Sequence, residues 1–267
     1  MAKVKFGLLL CSVLGMAVFS APPLQKKAQP QSLAAYRNNS CVMCHADLTE
    51  PLRISSHFFE WLDSKHQRKA VGCEKCHGGD PQSYNVQQAH RGVLRPDFPQ
   101  SRLHPENQPE TCKSCHQEIV NGFVKSEHNL KLQGSGVGPS CTTCHHHMAT
   151  AVIYWPPQTA ALCARCHQDD QNRASQYPLV PNEAADVIAA FTRADEVIEW
   201  SQFLLSEGKK RRLSLKAEEA EIKALNERLK DAKLRWHEFD LKLSRQRADE
   251  VFTRATKVKD ALAKRGL

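Results

Sequence analysis

Ten of the chain's 11 cysteines lie in one repeated motif, and this motif constrains the fold more than any other feature. The motif is Cys-x-x-Cys-His and it occurs five times. The paired thiols are Cys41 and Cys44, Cys73 and Cys76, Cys112 and Cys115, Cys141 and Cys144, and Cys163 and Cys166, and the histidines that follow are His45, His77, His116, His145 and His167. The remaining cysteine, Cys11, lies in the first 20 residues.

This spacing is the attachment motif for haem c. Two thiols three residues apart reach the two vinyl groups on one porphyrin edge, and the histidine that follows binds iron as the proximal ligand. Disulfides, zinc sites and redox dithiols also use paired cysteines, but none of them requires a histidine after every second cysteine. The sequence therefore predicts five covalently attached haems, with the five motif histidines as proximal ligands.

Eight further histidines are candidates for the distal side of the haems. They are His57, His66, His90, His104, His128, His146, His147 and His237. If every haem has two histidine ligands, five of the eight are distal ligands, and we predict His66, His90, His128, His147 and His237.

Local context favours these five. His66 and His128 each end a Ser-x-His segment ahead of the next motif, and His147 lies two residues beyond a proximal ligand. His90 is followed by Arg91, which suits a haem propionate, and His237 flanks the apolar stripe of a predicted helix. The alternatives are His57, which follows Cys44 at the spacing that separates His128 from Cys115, and His104, which precedes a proline.

The N-terminus predicts export. Residues 1–20 have a basic start at Lys3 and Lys5 and an apolar run from Phe6 to Phe19, as a signal peptide does. The run is short of the ~20 residues that a membrane-spanning helix needs, so membrane contact is expected only if this segment stays uncleaved. Export places the protein in the bacterial periplasm, and residues 21–35, rich in Pro, Gln and Lys, predict a flexible tether.

The rest of the chain divides into a pentahaem cytochrome c domain, 36–181, and a C-terminal helical hairpin, 182–267. Aromatic residues make up only 7% of the chain, so the haems are expected to fill the core. Apolar residues at helical spacing predict one helix to about residue 206 and a second from about 214 to 264, about 75 Å long. The predicted fold class is mainly α with much irregular loop: a haem-packed core followed by a long antiparallel helical hairpin.

Together, these motifs and the long C-terminal helices resemble the multihaem cytochromes c related to pentahaem nitrite reductase and hydroxylamine oxidoreductase. The resemblance implies closely packed haem pairs and a homodimer formed through the C-terminal helices. It has two departures: no Cys-x-x-Cys-Lys motif marks a catalytic haem, and the chain is much shorter than those enzymes.

Two functions remain open at this point. One is an electron carrier between redox partners in periplasmic respiration, such as a quinol-oxidising membrane cytochrome and a terminal reductase, with no catalytic side chains of its own. The other is a small reductase of nitrite, hydroxylamine or a similar oxyanion, with one five-coordinate haem. Eight spare histidines for five irons favour the carrier. The formal net charge of +8 does not predict a nucleic-acid partner, because haem propionates would offset it.

Overall fold

The computed structural model describes residues 33–50, 52–148, 151–169 and 176–267. Within these ranges the chain forms α-helices, two short 3-10 helices at Leu33–Tyr36 and Pro105–Asn107, and connecting loops, with no strand. The α-helices are α1 (Ser40–Ala46), α2 (Leu52–Leu62), α3 (Lys65–Arg68), α4 (Glu74–His77), α5 (Val86–Ala89), α6 (Gln108–Phe123), α7 (Glu127–Ser135), α8 (Cys141–His145), α9 (Pro156–His167), α10 (Val180–Lys210), α11 (Lys216–His237) and α12 (Leu241–Ala263). The mainly α fold class is confirmed. The predicted signal peptide and residues 21–32 of the predicted tether lie outside the described residues.

Each cysteine pair lies on or beside a helix. Residues three apart share one face of a helix, so α1 presents Cys41 and Cys44 on the same side. Asn39 caps α1 by accepting a hydrogen bond from the Val42 amide, with 3.2 Å between Oδ1 and N. At α8 a capping box joins Ser140 and Thr143, in which the Ser140 amide donates to the Thr143 hydroxyl at 3.0 Å. The motif therefore folds locally, with both thiols directed to one edge.

The segments around His66 and His128 repeat one local structure. Ser64 and Ser126 are buried N-caps of α3 and α7, and each precedes its histidine by two residues. Each serine hydroxyl donates to the carbonyl three residues earlier, at 2.6 Å, on Trp61 and Phe123 respectively. The Ser-x-His pattern in the sequence thus corresponds to a capped turn that fixes the histidine in the first turn of a helix.

The C-terminal part is a bundle of three helices. Arg245 pairs with Asp186 at 2.7 Å, and Ser201 bonds the Ala255 carbonyl at 3.4 Å, so α12 runs parallel to α10. Ion pairs along α11 show that it runs antiparallel to both, at Lys233–Asp195, Lys209–Glu219, Arg228–Glu250 and Arg254–Glu221. The bundle holds most of the buried apolar side chains, among them Phe191, Leu225, Leu229, Val251 and Leu262.

The prediction of a single helix from about 214 to 264 is wrong, because two helices occupy this range. The chain leaves helical geometry after His237 and folds back, with Phe239 at a φ of 61°. Asp240 then caps α12 by accepting from the Leu243 amide at 2.9 Å. The predicted antiparallel hairpin is present as α10 and α11, and α12 adds a third helix that covers their shared apolar face.

The region that carries the motifs has a small side-chain core. Tyr36, Val42, Phe58 and Trp61 form one cluster near α1 and α2. Among described residues from 73 to 169, the buried large hydrophobic side chains are Val120, Phe123 and Leu132. This matches the expectation that side chains do not fill this core by themselves. No helix among the described residues is both long and apolar enough to cross a membrane.

Candidate haem-binding sites

Four of the five motif histidines lie opposite one histidine from outside the motifs. The ring centroids are 6.1 Å apart for His45 and His90, 6.1 Å for His66 and His116, 6.1 Å for His128 and His167, and 6.3 Å for His145 and His237. The two histidines of each pair come from different helices or loops, so each pair forms only when the chain has folded. Four of the predicted distal ligands, His66, His90, His128 and His237, therefore each lie opposite a predicted proximal ligand.

The separation of these rings fits an iron atom between them. A metal–imidazole bond of about 2 Å on each side places two ring centroids roughly 6 Å apart. Haem iron takes its axial ligands from opposite faces of the porphyrin, as these facing rings require. The pairs have the spacing expected for two histidine ligands on one haem.

Hydrogen bonds leave the correct nitrogen available for iron at three of these histidines. Nδ1 of His90 lies 2.8 Å from the Val86 carbonyl, and Nδ1 of His237 lies 2.9 Å from the Lys233 carbonyl. Nδ1 of His145 contacts the Ala151 carbonyl at 2.8 Å. A carbonyl oxygen only accepts, so Nδ1 carries the proton and the Nε2 lone pair is free to bind metal.

Burial favours the neutral imidazole at His45, His66 and His128. Desolvation, followed by the neighbouring His167, lowers the pKa of His128 to about 4. Desolvation also lowers the pKa of His45 and of His66, with the facing histidine as the second cause in each case. Neutral imidazole is the form that binds a metal, so these side chains are ready to act as ligands at neutral pH.

His77, the histidine of the second motif, has a different environment from the four paired motif histidines. Desolvation lowers the pKa of His77, and the charges of His57, His45 and His147 lower it further, in that order. The rings of His57 and His147 have centroids only 4.2 Å apart, and Nδ1 of His147 lies 3.3 Å from a carboxylate oxygen of Glu60. The structure thus brings the predicted ligand His147 and the alternative His57 together beside His77.

The other two histidines outside the motifs lie apart from these pairs. His146 is exposed, and the alternative ligand His104 lies 4.0 Å from Glu106. Glu60 was not predicted from the sequence, although it follows His57 by three residues on α2, a spacing that places both on one helix face.

Successive attachment sites are neighbours in space. A hydrogen bond between the thiols of Cys112 and Cys141 raises the pKa of Cys112 and lowers that of Cys141. Desolvation, then the charge of Cys41, raises the pKa of Cys73 to about 12. Similar electrostatic contacts link Cys76 with Cys112 and Cys144 with Cys163. The motifs therefore follow one another in space in the order in which they occur in the sequence.

The C-terminal helical bundle packs directly on the region that carries the motifs. Lys230 on α11 pairs with Glu118 on α6 at 2.7 Å, and the Phe239 ring lies edge-on to the His128 ring with centroids 4.0 Å apart. α10 begins at Val180, close to the predicted boundary at residue 182. The division into two domains stays a prediction, and the pair of His145 and His237 crosses it.

Comparison with known proteins places the chain among cytochromes. Two families match parts of it: cytochrome c7 and related cytochrome c over residues 98–168, and cytochrome c554 and c-prime over residues 20–78. No solved structure gives a significant match.

The curated relatives are polyhaem and multihaem cytochromes. OmcC, a C-type polyheme cytochrome of Geobacter sulfurreducens, is 30% identical over 125 residues, which are 44% of this chain and 15% of OmcC. OmcB of the same species is 30% identical over 159 residues, 57% of this chain and 19% of OmcB. The multiheme cytochrome MtrA of Shewanella baltica is 26% identical over 164 residues, 58% of this chain and 46% of MtrA. The chain thus spans less than half the length of each of these relatives.

The motifs and the matches together define the class: the chain is a multihaem c-type cytochrome. Its five cysteine pairs bind five covalently attached haem c groups. The predicted resemblance to the nitrite reductase and hydroxylamine oxidoreductase group is not confirmed by these matches.

Proposed function

We propose that this cytochrome is an exported electron carrier that links redox partners in periplasmic respiration. The observation that carries the proposal is the set of four facing histidine pairs at 6.1–6.3 Å. When both axial positions of an iron are held by the protein, no position is left for a substrate. The ten predicted metal ligands stay a proposal, with His45, His77, His116, His145 and His167 proximal and His66, His90, His128, His147 and His237 distal.

Bound haem supplies reversible one-electron oxidation and reduction. The side chains of the chain hold and orient it: each facing imidazole is fixed by a helix or by a carbonyl on its Nδ1. Such fixed ligation suits electron transfer, because the coordination stays the same in both oxidation states. Successive attachment cysteines lie close to one another, as a relay over several sites requires.

Location and partners follow from the sequence and stay proposals. The predicted signal peptide supports a periplasmic location, because bacteria attach c-type haem outside the cytoplasm. Partners of the expected kind are a quinol-oxidising membrane cytochrome and a terminal reductase. Trp200 and Phe203, each 54% exposed on α10, support the proposed homodimer through the C-terminal helices.

Two measurements on the oxidised holoprotein test the carrier function. We expect a haem-to-protein ratio near five and low-temperature EPR signals that are low-spin throughout. A high-spin ferric signal that accounts for one haem and shifts on addition of nitrite would favour the alternative, a small reductase of nitrite, hydroxylamine or a similar oxyanion. A variant with Cys163→Ser and Cys166→Ser calibrates the spin count, because it should lose one haem.

A further inference from the structure

The rings of His57 and His147 do not face each other across a metal. Their centroids are 4.2 Å apart with an interplanar angle of 53°, compared with 6.1–6.3 Å for the four facing pairs. A metal between two imidazoles needs a centroid separation of roughly 6 Å. These two side chains are therefore neighbours on one side of a site, and at most one of them binds a given iron on that side.

The site they share is that of the second motif. The four facing pairs account for four of the motif histidines, and the remaining one is His77. Cys73 of this motif packs against the same cluster as Phe58 and Met148, which adjoin His57 and His147 in the sequence. Both imidazoles therefore lie near the site of the haem attached at Cys73 and Cys76.

The two histidines are held in different ways. His57 lies in the middle of α2, next to the buried Phe58, so its position is fixed by a helix in the small core. His147 lies in the loop after α8, and its side chain is 57% exposed. Its ring is held on α2 by the hydrogen bond to Glu60, at 3.3 Å. The better buried and more rigidly placed ring is that of His57.

The backbone is strained at His146, directly before His147. His146 has a φ of 64° and a ψ of 175°, a region that is nearly exclusive to glycine. On the other side of His147, Met148 packs against the cluster around Phe58 and Trp61. The chain reverses sharply between His145, which faces His237, and His147, which returns to α2.

We infer that the haem at Cys73 and Cys76 has two distal imidazoles within reach, with His57 as the resident ligand and His147 as a reserve ligand that Glu60 holds beside it. The inference deepens the proposed carrier function and rests on it. It revises the distal ligand expected from the sequence, since His147 becomes the second choice. With a reserve ligand, this iron keeps two imidazoles even when the resident one is lost.

Single and double variants of the holoprotein test the inference by EPR spin counting and redox titration. We expect His57→Ala to stay low-spin at all haems, with a changed reduction potential at one of them, because His147 binds in place of His57. We expect His147→Ala to stay low-spin as well. The double variant should show a high-spin signal equal to one haem. His57→Gln, which keeps the side-chain volume, replaces His57→Ala if the latter does not fold or retain haem.

Each other outcome overturns the inference. A high-spin haem in His57→Ala alone means that no reserve exists, and one in His147→Ala alone means that His147 is the sole ligand. A double variant that is entirely low-spin places the ligand elsewhere. Glu60→Ala in the His57→Ala background should raise the high-spin fraction, and an unchanged fraction would show that Glu60 does not hold His147 in place. A high-spin haem in the unmodified protein contradicts the carrier function itself, so the two failures are distinguishable.

Discussion

The rings of His145 and His237 are stacked, 17° from parallel, with centroids 6.3 Å apart. His145 ends the short helix α8, whereas His237 is the last residue of α11 in the helical bundle. The bundle therefore places one imidazole opposite the fourth motif histidine, in addition to packing against the region that carries the motifs.

His237→Ala is expected to convert one haem to the high-spin state, because it removes the imidazole that faces His145. The matched control is His146→Asn, which changes an exposed histidine next to His145. EPR spin counting on the holoprotein measures both. A low-spin spectrum for His237→Ala would show that another group binds this iron.

Gly138→Ala is expected to disturb the helix that carries His128. A Cβ at Gly138 would overlap the His128 carbonyl and the Leu132 amide, and it would lie 2.9 Å from the Leu132 Cα. Backbone atoms move little, so we expect a loss of about 1–3 kcal/mol in the free energy of unfolding and an altered EPR signal from one haem.

Gly134→Ala is the matched control for Gly138→Ala. Gly134 lies inside α7 and a Cβ there meets nothing within 4 Å. Replacing glycine inside a helix should stabilise the protein by roughly 0.5–1 kcal/mol. Urea unfolding compares the two variants, and equal stabilities would contradict the role of Gly138.

Ser126→Ala removes the N-cap of α7. The Ser126 hydroxyl accepts from the Asn129 amide at 3.1 Å and donates to the Phe123 carbonyl at 2.6 Å. We expect a loss of about 1 kcal/mol and a broadened low-spin signal, because the first turn that holds His128 loosens. Ser126→Thr keeps the hydroxyl and should restore both properties. Failure of threonine to do so would mean that the cap does not position His128.

Leu225→Ala tests whether the bundle is stabilised by its own side chains. Leu225 is fully buried between the three helices, and its truncation should cost about 2–5 kcal/mol in the free energy of unfolding. The spin states should not change, because Leu225 lies three turns before His237. Lys223→Ala, at an exposed position on α11, should stay within about 0.5 kcal/mol. A similar loss in both variants would contradict this account of the core.

Features that depend on local spacing were predicted from the sequence. The attachment motifs and the helical class arise from residues within a few positions of one another, whereas the N-cap role of the serine in each Ser-x-His segment was seen only in the structure. The partner of each motif histidine was not predicted, because it depends on the path of the whole chain. His145 and His237, for example, meet only after α10 and α11 have packed.

The turn between α11 and α12 was missed for a related reason. Phe239 is apolar and continues the helical stripe, so nothing at that position indicates a left-handed backbone. The local signal is Asp240 directly before Leu241, an N-cap residue ahead of an apolar one. In this turn the Phe239 ring packs edge-on against the His128 ring, a tertiary contact that local sequence does not reveal.

The facing pairs also imply an order of assembly, because a chain is made from its N-terminus. His66 and His128 are synthesised before their partners His116 and His167. Both imidazoles of each pair are therefore present as soon as the third or the fifth motif has been made. His145 instead is synthesised well before its partner His237, which lies on α11. A chain that stops before α11 would carry all five attachment motifs and still lack the imidazole that faces His145.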